Sequence, residues 1–279
     1  MNTGDGPFGP VVNGTQIVFF EYRPNEAAGY AFLALFGIAA LVHLFFILQL
    51  RAWFCIALFL GGISETFGYY GRARASKDPS QVGPFIQQNL LILVAAPFLA
   101  ASIYMSLGRL TVGLGAQRHS VISVRWMTKI YVLVDIGCIG SQFVGSIIPA
   151  SGDPDAIKNS RIILIAGLIV QLSALSLFIF TCWHVHTRVK RNPPDMLLEN
   201  PALQWEKYFW AVEGMTGLML IRSMVRSIEY LQGEGGFVIS HEVFIYLFDA
   251  VPMLLIMVIL AVVHPGRLIR QVRGFKALQ

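Results

Sequence analysis

Seven apolar stretches of roughly 19–25 residues dominate the chain, each the length a helix needs to cross ~30 Å of hydrocarbon. They lie at about 28–50, 53–71, 85–108, 126–148, 162–186, 208–231 and 241–264, and Arg51 leaves almost no loop between the first two. The expected fold class is therefore all-α: a polytopic membrane protein with seven transmembrane helices. Composition agrees, because only 13% of residues are charged where a soluble domain carries about 25%. Mean hydropathy is +0.62. The connections are short, the longest being 187–207, and there is no internal repeat or low-complexity tract. The division expected is an extracellular N-terminal segment over 1–27, a seven-helix bundle over 28–264 and a basic cytoplasmic tail over 265–279.

Orientation follows from Lys and Arg placement. With the N-terminus outside and the C-terminus cytoplasmic, thirteen basic residues fall on the cytoplasmic side and six outside, with Arg222 and Arg226 inside the sixth segment. The same orientation exposes Asn13, in the only Asn-X-Ser/Thr sequon, to glycosylation. Residues 1–27 lack a basic start followed by an apolar core, so the first apolar segment itself is expected to direct insertion. Cys55, Cys138 and Cys182 all lie in or at the edge of apolar segments, which points to free thiols rather than a disulfide framework. The net charge of +5 is spread over segment ends instead of forming one stripe, which argues against nucleic acid as a partner.

Charges inside apolar segments are the informative exceptions. An ionisable group at bilayer depth costs at least ~2.5–3.5 kcal/mol, met by pairing or by a watery cavity. Arg222, Arg226 and Glu229 share one face of the sixth segment, at spacings of four and three. Glu242 and Asp249 are seven apart on the seventh, with Tyr246 between them and His241 beside them. The two segments run antiparallel through a short turn, so their charged faces can meet. Three readings stand: an interhelical salt-bridge network, the floor or gate of a binding cavity, or proton coupling. The second segment adds Gly62, Glu65, Tyr69 and Arg72 on one face, with Glu65 as a partner for Arg222 or Arg226. Its glycines suit close helix approach, so a packing seam with one satisfied carboxylate and a ligand role for Glu65 both remain open.

Gln88 and Asn89 open the third segment and join the ligand-binding candidates, and Pro97 is expected to kink it. In the fourth, Lys129 is expected to snorkel to the interface, whereas Asp135 needs a partner. Gln142 lies further along, and Gln171 in the fifth is most simply an interhelical hydrogen bond. His184 and His186 are two apart, on different helix faces, a poor metal pair. No HExxH, CxxC, phosphate loop or GxSxG elbow occurs, so no metal site, resident cofactor or catalytic residue is expected. If haem or porphyrin binds as a ligand, His43 and His241 are the candidates.

Several stretches together resemble the fungal RTA-like family, also called the lipid-translocating exporter family. They are YRPNEAAGYAFLALFG (22–37), GGISETFGYYGR (61–72), APFLAASIYMSLGR (96–109), RWMTKIYVLVD (125–135), LIRSMVRSIEYLQGEGG (220–236), SHEVFIYLFDA (240–250) and HPG (264–266). One departure is Ser146, where a second glycine is expected after Gly145. The resemblance implies a seven-helix fungal membrane protein with its N-terminus outside. It further implies export of sphingoid bases, resistance to sterol-like amphiphiles or porphyrin uptake, and carries over no catalytic set.

The leading expectation is a plasma-membrane translocator of a lipid-like amphiphile. Glu65, Arg222, Arg226, Glu229, His241, Glu242, Tyr246, Asp249, Gln88 and Asn89 would line its cavity. An amine would suit the carboxylates, and a phosphate or propionate the arginine pair. A haem- or porphyrin-binding protein, a seven-helix receptor or sensor, and an intramembrane lipid hydrolase using Asp135 with His43 or His184 are the alternatives. The expected partner is a membrane lipid or an amphiphilic small molecule, and a homo-oligomer is compatible with the sequence.

Overall fold

The computed structural model describes residues 7–12, 15–16, 18–120, 123–147, 154–200, 203–232 and 235–277. Asn13 lies outside the described residues. The architecture is helical apart from one minimal antiparallel pair, β1 (Val11–Val12) with β2 (Thr15–Gln16). The long helices are α1 (Glu26–Leu50), α2 (Ile56–Ala75), α3 (Val82–Gly113), α4 (Val124–Ile147), α5 (Pro154–Arg191) and α7 (Glu206–Gln232). A short α6 (Asp195–Glu199) precedes α7. The last rod is composite: α8 (Glu242–Ile245), a π-helical turn (Tyr246–Ala250) and α9 (Val251–Val262), followed by α10 (Pro265–Ala277).

Local chemistry explains the boundaries. Asn25 caps α1, its side chain accepting from the Ala28 amide at 3.0 Å. Arg51 ends it in the left-handed region (φ 49°), which turns the chain at once into α2. Pro97 sits inside an α3 that runs unbroken from Val82 to Gly113. Pro252 has no N–H to offer the carbonyl one turn earlier, and the π turn immediately precedes it.

Among the described residues, four helical runs are long and apolar enough to cross a membrane: Glu26–Leu50, Val82–Gly113, Ile162–Arg191 and Glu242–Val272. On α1, Ile38, Leu41, Phe45 and Leu48 are each 59–65% exposed, a continuous apolar face that water would not tolerate. The chain is an integral membrane protein. Helices α2, α4 and α7 are long but more polar, and their polar groups turn inward: Glu65 and Arg72, Asp135 and Gln142, Thr216 and Arg222 are all buried.

Lipid is as apolar as leucine, so close packing and internal polar contacts hold such helices together. Helix α2 runs between α1 and α3. A Cβ on Gly29 would stand 2.9 Å from that of Ala73, and one on Gly71 would stand 2.9 Å from the Gln88 backbone nitrogen. Aromatic rings fill the centre: Phe32 stacks on Tyr246 and Phe36 on Tyr69, at centroid distances of 5.2 and 5.5 Å. The segment before α1 lies over the same end of the bundle. Phe19 stacks on Phe85 at 4.1 Å, and Arg23 Nε donates to the Ser76 carbonyl at 2.9 Å. That end is termed the N-terminal face below.

Candidate functional site

Two groups of charges occupy the half of the bundle towards the N-terminal face. Arg72, on the last turn of α2, centres the first and is 1% exposed. Its Nη2 donates to Glu242 Oε1 at 2.8 Å and to the Tyr22 hydroxyl at 3.0 Å; its Nε donates to the Tyr246 hydroxyl at 2.9 Å. Gln88 Oε1 accepts a longer contact of 3.5 Å from Nη1. Glu242 Oε1 also accepts from the Tyr246 hydroxyl at 2.9 Å and from the Asn25 amide at 2.8 Å. The Tyr246 ring lies under the guanidinium at 5.1 Å, adding a cation–π contact. One arginine thereby ties α2 to α3, to α8 and to the N-terminal segment.

The second group sits deeper. Asp249, in the π turn, accepts from Arg222 Nε and from Arg226 Nη2, the latter at 2.7 Å. Arg226 Nη1 also reaches Glu229 at 3.3 and 3.5 Å, a weaker arrangement on a residue that is 23% exposed. Glu65 faces this group from α2, within electrostatic reach of Arg222, Arg226 and Asp249. It is 1% exposed, and neither of its oxygens has a hydrogen-bond partner. Arg222 Nη2 and the Tyr69 hydroxyl are likewise unpartnered.

A narrow cleft opens beside the second group, between α7 and the α8–π segment. Arg222, Arg226, Glu229 and Asp249 form its polar wall; Val225, Phe244, Ile245 and Phe248 form its apolar one. Its free space of about 50 Å³ admits one or two waters at ~30 Å³ each. The arrangement is closed.

The expected residues divide between these places. Arg222, Arg226, Glu229 and Asp249 come together as one network. Glu242 and Tyr246 do not join it, but close on Arg72 instead. The seven-residue spacing of Glu242 and Asp249 implies a shared face only in a regular α-helix, and the π turn between them changes the register. Glu65 faces Arg222 and Arg226 without the hydrogen bond expected from it. Gln88 belongs to the Arg72 group, while Asn89 is exposed and its Oδ1 accepts from Gln88 Nε2 at 3.5 Å. His241 lines the cleft, bonded through Nδ1 to the Phe237 carbonyl at 2.8 Å.

Arg72 and Tyr22 were not among the residues expected to bind a ligand. The usable signal was present, because Arg72 shares a face with Glu65 and Tyr69. His43 bonds the Met257 carbonyl at 2.8 Å, sixteen residues and so about 24 Å of helix from His241. The two histidines do not face one ligand.

Elsewhere, Gln142 Nε2 donates to Gln171 Oε1 at 2.9 Å, the interhelical bond expected for Gln171. Asp135 is buried beside Tyr104 of α3. Lys129 is exposed, with its ammonium 5.6 Å from the Trp126 ring. His186 pairs with Glu213 at 2.9 Å, a contact between α5 and α7 that the sequence spacing did not suggest. Among the described residues, no group of three or more His, Cys, Asp or Glu is arranged to hold a metal ion.

The family described as RTA1 like protein matches residues 58–272, from early in α2 into α10. Protoporphyrin uptake protein 1 of Saccharomyces cerevisiae is 36% identical over 207 residues, covering 74% of this chain and 67% of that protein. Protein RTM1 of Saccharomyces cerevisiae is 32% identical over 207 residues, covering 74% and 66%. The sphingoid long-chain base transporter RSB1 of the same species is 23% identical over 275 residues, covering 87% and 72%. The chain thus spans about two thirds of the length of these relatives. No solved structure matches it.

Proposed function

The chain belongs to the RTA1-like family, and from that premise we propose that it translocates lipid-like amphiphiles across the plasma membrane, crossing the bilayer seven times with its N-terminus outside. The cleft between α7 and α8 carries this reading: buried charges on one wall, aromatic and aliphatic side chains on the other. A polar head group fits the first, and a chain or ring the second and the lipid beyond. On the proposed orientation the cleft belongs to the outer half. Two relatives named for sphingoid-base transport and protoporphyrin uptake support ligands of this class.

The closed cleft must widen to admit a head group. Its weakest joint is the pair of long contacts between Arg226 and Glu229. An anionic group, such as a porphyrin propionate, would replace Glu229 on Arg226; an amine would take Glu229 itself. Porphyrin would then be held by its propionates; His43 and His241 lie too far apart along the helices to ligate one haem together. The experiment is transbilayer movement in proteoliposomes of a fluorescent sphingoid base and of protoporphyrin. Faster movement of either than in protein-free vesicles, lost in Arg226→Ala, is the expected result. Wild-type protein that moves neither overturns the reading.

A further inference from the structure

We propose that Glu65 carries an exchangeable proton, and that loss of this proton opens the α7–α8 cleft by drawing Arg222 away from Asp249. The inference rests on the translocation reading and adds an energy source to it.

Charge balance is the first observation. The two charge groups, with Glu65 facing the second, bring together three arginines, Arg72, Arg222 and Arg226, and four carboxylates, Glu65, Glu229, Glu242 and Asp249. Glu242 has Arg72, Asp249 has both Arg222 and Arg226, and Glu229 has Arg226. Glu65 alone of the four has no hydrogen-bond partner. A buried charge without a partner is costly in any protein and more so at bilayer depth. With a proton on Glu65 the three arginines face three anions, and the surplus charge vanishes. A metal ion would not serve, because the two guanidinium groups facing Glu65 would repel it.

The second observation is where the unsatisfied groups lie. Native structures leave few buried polar atoms unpaired. Here both Glu65 oxygens, Arg222 Nη2 and the Tyr69 hydroxyl are unpaired in one neighbourhood. The charged and titratable groups facing Glu65 are Arg222 and Arg226 from α7, Asp249 from the π turn and Tyr69 from its own helix. About one turn earlier on α2, Gly61 packs against Leu99 of α3, and Gly62 against Ala40 of α1 and Met257 of α9, all apolar.

The step that follows is balanced. The Glu65 O–H bond breaks and the proton passes to water that enters from the cleft along Arg222, since Glu65 itself does not line the cleft. The new carboxylate accepts from the free Nη2 edge of Arg222, whose bond to Asp249 breaks, while Asp249 keeps Arg226. Asp249 sits in the π turn and Arg222 lines the cleft, so this exchange removes one of the two bonds that tie the π turn to α7 and loosens the cleft wall. Reprotonation restores the closed pairing.

Two measurements test this. Infrared spectroscopy of purified protein in nanodiscs at neutral pH should show the C=O stretch of a protonated carboxylic acid that Glu65→Gln removes and Asp135→Asn does not. A band unchanged in Glu65→Gln overturns the assignment. In proteoliposomes holding a pH-sensitive dye, wild-type protein should couple movement of a fluorescent sphingoid base to proton flux above the protein-free baseline. Glu65→Gln, fixed in the protonated form, should keep the wild-type unfolding temperature and lose both movement of the base and proton flux; retained movement in Glu65→Gln overturns the gating. Exchange without proton flux in the wild type overturns the coupling and leaves translocation standing. No exchange at all overturns translocation and the coupling with it, while the infrared band still decides the proton on Glu65.

Discussion

Arg72 and Glu242, 170 residues apart in sequence, meet at 2.8 Å in the buried half of the bundle towards the N-terminal face. The contact is a hub rather than a lone pair, because the same guanidinium holds Tyr22, Tyr246 and Gln88. Removing one member of a buried ion pair strands the other and typically costs about 3–5 kcal/mol. Arg72→Ala should therefore lower the thermal unfolding temperature of the purified protein sharply. Arg72→Lys should recover little, since one ammonium does not reproduce the planar fork that reaches four acceptors. Full recovery by lysine would show that charge alone matters here.

Tyr246 tests the hub from the other side. Its hydroxyl accepts from Arg72 Nε and donates to Glu242 Oε1, both at 2.9 Å. Tyr246→Phe keeps the ring stacked on Phe32 and deletes only those bonds. Bonds to charged groups are worth about 1.5–3 kcal/mol each, so a clear but partial loss of stability is expected in the same unfolding assay. A variant as stable as the wild type would mean that water replaces the hydroxyl.

Gly71 tests the seam that brings Gln88 to Arg72. A Cβ there would meet the Gln88 nitrogen at 2.9 Å and the Pro84 carbonyl oxygen at 3.1 Å, both rigid backbone. Gly71→Ala should force α2 and α3 apart, at an overpacking cost of about 1–3 kcal/mol. Gly214→Ala, with nothing within 4 Å of the added carbon, is the control and should leave stability unchanged or slightly raised. Equal behaviour of the two would argue against a tight α2–α3 contact.

The Asp249 network predicts non-additivity. Arg226→Ala and Asp249→Ala should each be severe, and the double variant should be less damaging than the sum of the two, because each single change leaves a buried charge behind. Lys190→Ala breaks a 3.6 Å surface pair with Glu206 and should change stability by at most about 1 kcal/mol. Additive losses at Arg226 and Asp249 would show that the two act independently.

Much of the fold was legible because its signal is a length. Six of the seven apolar stretches coincide with a long helix to within a few residues, except that α5 begins eight residues early, and the seventh with the composite α8–π–α9 rod; among the described residues four runs are long and apolar enough to cross a membrane. The Arg222–Arg226–Glu229 face was legible because helical spacing fixes it, and Asp249 because the next segment folds back beside it. Arg72 was obscured by the rule that made the topology readable: an arginine near a segment end counts as an interfacial charge. Here α2 continues to Ala75 and the N-terminal segment folds over it, which buries that end. The π turn left no readable mark beyond Pro252, so the split of Glu242 and Asp249 between two partners appears only in three dimensions. Sequence-distant contacts such as Tyr22 to Arg72 obey no local period at all.

The separation of Arg72 from Glu242 also dictates an order of assembly. A ribosome delivers α2, with Glu65 and Arg72, long before it delivers the helices that neutralise or face them. Until α7 and α8 arrive, α2 is a poorly apolar segment bearing charges that the bilayer rejects. A nascent chain stopped before residue 242 would leave Arg72 without its carboxylate and Glu65 without its neighbours. The Arg72 hub can therefore close only once residue 242 has been made, when Tyr22 near the start of the chain and Glu242 near its end are both present.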